Sequence, residues 1–173
     1  MTHNAPLEAV ISYTPIGIIH SPFKTPPGTP IQAAGARGIV GTIVLAPAYI
    51  PGLQDLEGFS HLLLIYHFHL VQDVRLTVTP FLDDHAHGIF ATRAPTRPNP
   101  IGISIVHLLR MEGETLHIED VDVVDGTPLL DIKPFVPAFD VRDNVRVGWL
   151  TNNRANLSQV RADERFLGTG SEV

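Results

Sequence analysis

The sequence predicts a mainly β protein, a single small β-barrel of short antiparallel strands followed by a short C-terminal helical segment. Stretches rich in Val, Ile and Thr recur at short intervals and are separated by turn sequences. The 173 residues include 14 Gly and 15 Pro, too many helix-breaking residues for a protein of long helices. Long helical patterns do not alternate with the strands, which excludes a doubly wound α/β fold.

The length suits one domain. We divide the chain into an N-terminal lead-in over residues 1–12, a β-barrel domain over 13–140, and a polar, partly helical C-terminal extension over 141–173.

In chain order, the first predicted strand covers residues 10–19, an apolar run closed by a Ser-Pro pair. Residues 24–38 are rich in Pro, Gly and small side chains and predict a long ordered loop, a kind that is usually functional or disordered. β-Branched residues predict a second strand over 37–46. A proline near its start fits a helical turn over 49–58.

Residues 59–70 carry the clearest strand pattern, because a period of two places apolar side chains on both faces. The pattern predicts a central strand covered on both sides. A short strand over 75–79 and a polar turn over 83–88 follow. Residues 89–92 start another strand, which three nearby prolines stop.

The remaining strands predict a hairpin and one further strand. Residues 101–112 and 115–124 are β-rich and flank a Glu-Gly-Glu turn. The Asp-Gly-Thr-Pro sequence at 125–128 predicts a second turn, and 129–132 a strand after it. Beyond residue 140 the chain is polar and compatible with helix.

Composition excludes several classes of protein. The chain has no Cys, which excludes a disulfide framework, a thiolate zinc site and cysteine catalysis. Twelve basic and eighteen acidic residues give a net charge of −6, so a nucleic-acid partner would need a local basic patch. No apolar run approaches the roughly 20 residues of a membrane span and no signal peptide is evident, so a cytoplasmic protein with no membrane partner is expected.

An arginine-containing loop over residues 90–102 is the first candidate functional element. Prolines fix much of its backbone, and they hold Arg93 and Arg97 at defined positions. Both guanidinium groups could clamp a carboxylate or a phosphate. The alternative is a rigid barrel corner in which the arginines stack on neighbouring chain, and the residues alone leave both interpretations open.

Histidines offer a second candidate, a metal site. His67 and His69 share one face of the predicted strand, and His85 and His87 follow in a loop with aspartates nearby. On a barrel this pattern would resemble a cupin-type metal centre, although the glycine-rich run and the following Glu of that pattern are missing. Histidines of the core or rim are the alternative.

Four sequence segments together resemble one known family, the TsaA-like or TrmO family, over residues 13–140. The segments occur in the order PIGIIHSPF (15–23), GFSHL (58–62), GIFATRAPTRPNPIG (88–102) and VDGTPLLDIKP (124–134). The resemblance implies an S-adenosylmethionine-dependent methyltransferase built on a β-barrel. It implies methylation of N6 of threonylcarbamoyladenosine at position 37 of tRNA, by a homodimer with the cofactor near the subunit interface.

The resemblance also implies site residues at the matching positions. The implied cofactor contacts are Gln32, His69, Leu70, Arg93, Ile103, Asp125, Gly126, Thr127 and Pro128. Arg93 suits the methionyl carboxylate, and Asp125 suits ribose hydroxyls or the amino group. The expected substrate contacts are Arg97, Asn99 and Lys133, and the candidate general bases are His69, Asp131 and Asp140. None of the matching residues is expected to bind a metal.

Three functional hypotheses follow from the sequence. The first is the tRNA methyltransferase. The second is a metal-dependent, cupin-like enzyme acting on a small molecule through the two His-x-His pairs. The third is a non-catalytic module that binds S-adenosylmethionine.

Overall fold

A computed structural model describes residues 10–151 and 158–167 of the chain. The fold is mainly β, as the sequence predicts. In chain order the strands are β1 (Gly17–His20), β2 (Val40–Leu45), β3 (His61–His67), β4 (Thr77–Val78), β5 (His87–Gly88), β6 (Ile101–Glu112), β7 (Thr115–Glu119) and β8 (Thr127–Pro134). The lead-in predicted over 1–12 lies outside the described residues except for its last three.

Six strands form a closed antiparallel barrel in the order β1-β2-β7-β6-β3-β8, and β4 pairs only with β5. The sheet closes because β1 has hydrogen-bonded neighbours on both sides. Its residue Ile18 is opposite Val44 of β2 and also opposite Pro128 of β8. The predicted hairpin is formed by β6 and β7.

Alternation along the strands builds the core. In β3, Leu62, Leu64 and Tyr66 are buried inside the closed sheet, whereas the residues between them are half-buried. The prediction that both faces of β3 are covered is therefore only half correct. The fully buried side chains of the sheet and of the loop after β7 are Ile19, Ile43, Leu62, Leu64, Val106, Leu116, Ile118, Val121 and Leu129. Each contributes about 1.5–3 kcal/mol by leaving water.

The outward face of β6 is apolar and open. Ile101, Ile103, Ile105 and Leu109 alternate with buried residues, yet their own side chains are 38–49% exposed. Single exposed apolar residues are common on protein surfaces, but Ile101, Ile103 and Ile105 follow one another on this face and form a patch, which His107 separates from Leu109. The patch lies beside the large cavity described below.

Residues 89–92 are not the start of a strand. They contain a single 3-10 turn, Ile89–Ala91, which ends at Thr92. The Arg97 side chain donates to the carbonyl of Ile89 at the start of the turn and to that of Thr92 just after it, contacts that β-propensity does not include. The first strand is likewise shorter than predicted, since β2 offers it partners only from Thr42 to Leu45.

The structure describes residues 141–151 and 158–167 of the C-terminal extension, and the prediction that the extension is partly helical stays a prediction for the rest. A four-residue helix α1 (Pro137–Asp140) precedes it, and one 3-10 turn (Gly148–Thr151) lies within it. Residues 158–167, here called the strap, then run back across the loop over residues 24–38, here called the early loop. Their backbone pairs with that loop through two bonds of 2.8 Å between Ala162 and residues Gly28 and Thr29. In the described parts of the chain no helix is long and apolar enough to cross a membrane.

Candidate functional site

A cavity of about 1080 Å³ opens beside the barrel. Its walls come from the early loop, the end of β3, the arginine loop over 90–102, the outward face of β6, and the strap. Side chains of the strap reach it because Phe166 packs edge-on against Phe81 and Arg165 donates to the carbonyl of Pro80. The C-terminal extension is therefore part of the cavity wall.

Most of the residues implied by the resemblance meet at this cavity. Gln32, His69, Leu70, Arg93, Ile103 and Thr127 all line it, although they come from four separate parts of the chain. Asp125, Gly126 and Pro128 belong to the adjoining turn and the start of β8 and do not line it.

Arg93 has an unengaged guanidinium group. In residues 10–151 and 158–167 it makes neither a hydrogen bond nor an ion pair, although it lines the cavity. Its positive charge offsets part of the rise in the pKa values of Tyr66 and Asp122 that burial causes. A free, planar, five-donor cation at the wall of a cavity is a receptor for a carboxylate or a phosphate.

Arg97 has the opposite environment. Its Nη1 donates to the carbonyl oxygens of Ile89 at 3.2 Å, Thr92 at 2.9 Å and Ala94 at 3.3 Å. Its guanidinium also lies 5.9 Å from the centre of the Phe90 ring. Arg97 thus braces the arginine loop, and its predicted contact with substrate stays a prediction. The structural interpretation of this loop therefore fits Arg97, whereas the anion clamp stays a prediction for Arg93.

A buried polar chain lies beneath Arg93, and the sequence analysis missed it. Ser104 donates to Asp122 Oδ1 at 2.5 Å, and Tyr66 lies 3.0 Å from the same hydroxyl. Because the Ser104 proton is used on Asp122, Tyr66 must be the donor to Ser104. Burial raises the pKa of Tyr66 well above its ordinary range and raises the pKa of Asp122 to about 6.

Asp122 lines the cavity from the stretch between β7 and β8. The signal for it was present in the sequence, since Val121 and Val123 on either side are buried and alternation turns Asp122 the other way. β7 ends at Glu119, so Asp122 lies after the strand and within the stretch that was predicted to be strand over 115–124.

Replacing Asp122 with Asn is expected to stabilise the free protein by about 1–2 kcal/mol at pH 7.5. The folded state raises the pKa of this carboxyl from 3.8 to about 6, which corresponds to about 3 kcal/mol against its ionised form. Asn removes this cost, but burying its amide group costs about 1 kcal/mol in return.

Urea unfolding at two pH values measures this effect. A group whose pKa is raised on folding stabilises the folded state as pH falls, so the advantage of the Asn variant should shrink between pH 6 and pH 4. A variant no more stable than the wild type at pH 7.5, or an advantage independent of pH, would contradict the prediction.

His69 lies in the cavity as a neutral imidazole. Burial, and next the nearby His67, lower its pKa below the ordinary 6.5. The Thr127 hydroxyl lies 3.4 Å from His69 Nδ1 and donates its proton to the Val124 carbonyl at 2.7 Å. Thr127 can then only accept from His69, which places the imidazole proton on Nδ1 and leaves Nε2 as a proton acceptor.

The Asp-Gly-Thr-Pro turn is fastened to the end of β1. Asp125 accepts from Lys24 Nζ at 2.7 Å, from the Ser21 amide at 3.1 Å and lies 3.2 Å from His20 Nδ1. Lys24 is the main cause of a pKa of about 2. Gly126 has φ of +77°, which favours glycine. The contact of Asp125, Gly126 and Pro128 with a cofactor stays a prediction.

The other predicted residues lie apart from the cavity, with one exception. Asp131 and Lys133 form an ion pair of 2.8 Å on β8, and neither lines the cavity. Asn99 is exposed and is also outside it. Asp140 does line the cavity, but one of its oxygens accepts from the Val136 amide at 2.8 Å.

The two His-x-His pairs do not converge. Asp83 lies 3.0 Å from His85 Nδ1 and 3.2 Å from His87 Nε2, and His87 stacks on Trp149. Across the described part of the chain, no group of three or more His, Cys, Asp or Glu side chains could hold a metal ion. The described residues therefore give no geometric support to the metal-enzyme hypothesis.

Comparison with known proteins shows which family this chain belongs to. The profile of the tRNA-methyltransferase O N-terminal domain matches residues 18–141, most of the chain. The chain belongs to the TrmO family. The arginine loop and the polar residues around Asp122 all lie inside the matched region.

Curated relatives of this TrmO-family chain carry two kinds of name. A probable S-adenosyl-L-methionine-binding protein of Pyrococcus abyssi is 57% identical over 161 residues, 93% of this chain and 88% of that protein. A tRNA (adenine(37)-N6)-methyltransferase of Mus musculus is 34% identical over 166 residues, 91% of this chain but 37% of the mouse protein.

Solved TrmO structures share the fold. The crystal structure of TrmO from Pseudomonas aeruginosa matches with a TM-score of 0.69 and 37% identity, over 82% of this chain and 63% of that one. Another TrmO crystal structure matches with a TM-score of 0.70 and 39% identity, over 81% and 64%. The chain thus spans a little under two thirds of these solved relatives.

Proposed function

We propose that this protein is an S-adenosylmethionine-dependent methyltransferase that acts on N6 of threonylcarbamoyladenosine at position 37 of tRNA. The observation that carries the proposal is the free guanidinium of Arg93 at the wall of a cavity large enough for a nucleoside. Family membership and the methyltransferase name of the mouse relative support the reaction class. Such an enzyme works in the cytoplasm.

The cavity residues fit the proposed cofactor. Arg93 offers the cation that a methionyl carboxylate needs, and Ile103 and Leu70 offer exposed apolar surface for an adenine ring. Gln32 and Thr127 add polar groups that could fix orientation. The Asp125–Pro128 turn, held by Lys24, fixes the start of β8 and so the position of Thr127. When bound, S-adenosylmethionine would supply an electrophilic methyl group.

The chain's own residues must orient the nucleoside and remove a proton. The N6 nitrogen of threonylcarbamoyladenosine is urea-like, so its lone pair is delocalised and it attacks weakly. Its N–H proton must leave as the new N–C bond forms. His69 is the base that the geometry favours over Asp131, because it lies in the cavity with Nε2 free to accept that proton.

Methyl transfer at saturating S-adenosylmethionine is expected to stay constant from neutral pH down to below 6.5, then to fall. The rate falls on the acid side because only the neutral imidazole accepts a proton. The lowered pKa of His69 keeps the imidazole neutral to lower pH. Single-turnover incorporation of labelled methyl measures the profile. The acid fall should disappear in His69→Gln, whose remaining slow rate should not vary over this range. A fall centred above 6.5, or the same profile in the variant, would exclude His69 as the base.

We also propose that the protein is a homodimer that uses the outward face of β6. Ile101, Ile103, Ile105 and Leu109 form the exposed row, and the first three also line the cavity. A second copy seated there would cover the row and narrow the cavity.

Light scattering at micromolar concentration tests this assembly. We expect a dimeric mass for the wild type and a monomeric mass for Ile105→Glu. Thr77→Glu, on the exposed side of a strand outside the barrel, is the matched control and should stay dimeric. A monomeric wild type would exclude the homodimer.

Labelled-methyl transfer to two tRNA preparations tests the substrate. One carries the threonylcarbamoyl group and the other lacks it, and we expect labelling of the first alone. Equal labelling of both, or of neither, would exclude this substrate.

A non-catalytic S-adenosylmethionine-binding module is the second candidate. The name of the Pyrococcus abyssi relative favours it, since that name gives binding and no reaction. Cofactor binding by calorimetry without transfer to either tRNA would support this candidate over the enzyme.

A further inference from the structure

We propose that the strap is a lid over the cavity, and that a ligand enters and leaves through a state in which the strap has detached from the early loop. The strap forms one wall of the cavity, with Ala162, Phe166 and Leu167 among its lining residues. The inference rests on the proposed function for its choice of ligand, whereas the attachment of the strap is a property of the free protein.

The first step is that the cavity has one fixed side and one side built from loops. Barrel strands β3 and β6 supply the fixed side. The early loop and residues 80–82 form much of the other side, and the strap joins the two. Ala162 pairs with the early loop, and Arg165 donates to the carbonyl of Pro80 at 2.9 Å. Detachment of the strap would therefore open a wall of the cavity and leave the barrel intact.

The second step is that the strap is attached by few contacts. Every residue of 158–167 is half-buried or exposed, whereas Leu62 and Leu64 of the barrel are fully buried. Its backbone bonds to the early loop are the two that join Ala162 to Gly28 and Thr29. Segments with few buried apolar contacts open locally at a small fraction of the free energy of global unfolding. The strap should consequently detach while the barrel stays folded.

The third step is that one aromatic ring anchors the strap. The Phe166 ring packs edge-on against the Phe81 ring, with 5.0 Å between the ring centres. Phe166 is also the partly buried residue that packs against the small cluster of Val78, Ile89 and Ala94. The ring thus holds the strap against the segment that precedes the arginine loop. Its removal should favour the detached state.

A disulfide tests whether the strap must detach. Pro30 and Arg161 face each other in an antiparallel bridge, so Pro30→Cys combined with Arg161→Cys places two thiols across the contact. The chain has no other Cys that could compete. Trp149, the single Trp, lines the cavity and reports ligand binding by its fluorescence.

Stopped-flow mixing with S-adenosylhomocysteine gives the two rate constants. We expect the oxidised protein to bind and release this ligand about tenfold or more slowly than the same protein after reduction, because a locked lid blocks both directions. The reduced form controls for the two substitutions themselves. Equal association and dissociation rates in the oxidised and reduced forms would overturn the lid.

Phe166→Ala should have the opposite effect. Both association and dissociation should become about threefold to tenfold faster, because the detached state is more populated. Phe139→Ala removes an exposed ring outside the cavity and is the matched control, with wild-type rates expected. Faster dissociation with unchanged association would mean that Phe166 only contacts the ligand, and it would overturn the lid.

Hydrogen exchange in the free protein separates the lid from the proposed function. The amides of Gly28 and Ala162 donate the two bonds between strap and early loop, so their exchange measures detachment without any ligand. We expect them to exchange faster than the amides of β3, and faster again in Phe166→Ala. Exchange as slow as that of β3 would overturn the lid. A wild type that binds no S-adenosylhomocysteine would overturn the proposed function, whereas the exchange rates would still decide whether the strap detaches.

Discussion

Replacing Arg93 with Ala is expected to weaken S-adenosylmethionine binding by about 1.5–3 kcal/mol, roughly tenfold to a hundredfold in the dissociation constant. The guanidinium has no partner in the described structure, so its loss removes a ligand contact and leaves the fold intact. Titration calorimetry gives the affinity, and thermal unfolding of the free variant should match the wild type. Arg93→Lys should bind with intermediate affinity, because it keeps the charge but not the planar fork.

Arg97→Ala is the informative comparison. Arg97 holds three carbonyl groups of the arginine loop, so its removal should loosen the loop and lower the melting temperature. If Arg93→Ala bound the cofactor with wild-type affinity, the anion-receptor role would be wrong. If Arg93→Ala and Arg97→Ala lost stability equally, the two arginines would both be structural.

Gly102→Ala is expected to lower the free energy of unfolding by about 2–4 kcal/mol. An added Cβ would lie within 2.8 Å of three atoms of the Tyr66 ring. The ring has little room to retreat, because its hydroxyl bonds Ser104 and its edge packs against Phe68. Overpacking costs about 1–3 kcal/mol and a displaced Tyr66 hydroxyl about 1 more.

Urea unfolding measures the effect, with Gly58→Ala as the matched control. A Cβ at Gly58 would meet nothing within 4 Å, so that variant should stay within about 0.5 kcal/mol of the wild type. Near-UV circular dichroism should also change in Gly102→Ala, since Tyr66 would leave its site. An unchanged unfolding midpoint in Gly102→Ala would show that the ring adapts.

Strand positions were predictable where the residue pattern itself reports burial. Leu62, Leu64 and Tyr66 alternate with less buried residues, so β3 could be located from a period of two. The sequence could not predict whether the second face of β3 is covered, because that depends on which elements lie outside the sheet. The strap was not predictable either, since Arg161 pairs with Pro30 across most of the chain.

Sequence reasoning located the candidate site better than it assigned individual roles. The resemblance named Gln32, His69 and Arg93 in distant segments of the chain, and all three line one cavity in the structure. It could not separate the free Arg93 from the engaged Arg97, because the difference lies in a 3-10 turn whose carbonyls accept from only one of them. Asp122 was missed for a similar reason, as its burial depends on contacts with β3 and β6.

Closure of the sheet by β8 also affects how the chain folds as it leaves the ribosome. β8 is the last barrel strand to be translated, and it fills the gap between β1 and β3. Until Thr127–Pro134 emerges, the nascent chain has two unpaired strand edges, both open to pairing with other chains. Native pairing of Gly17 with Leu129 therefore cannot begin until synthesis is well advanced. The barrel consequently cannot close before β8 has been translated, and a chain stalled before β8 keeps two strand edges open to aggregation.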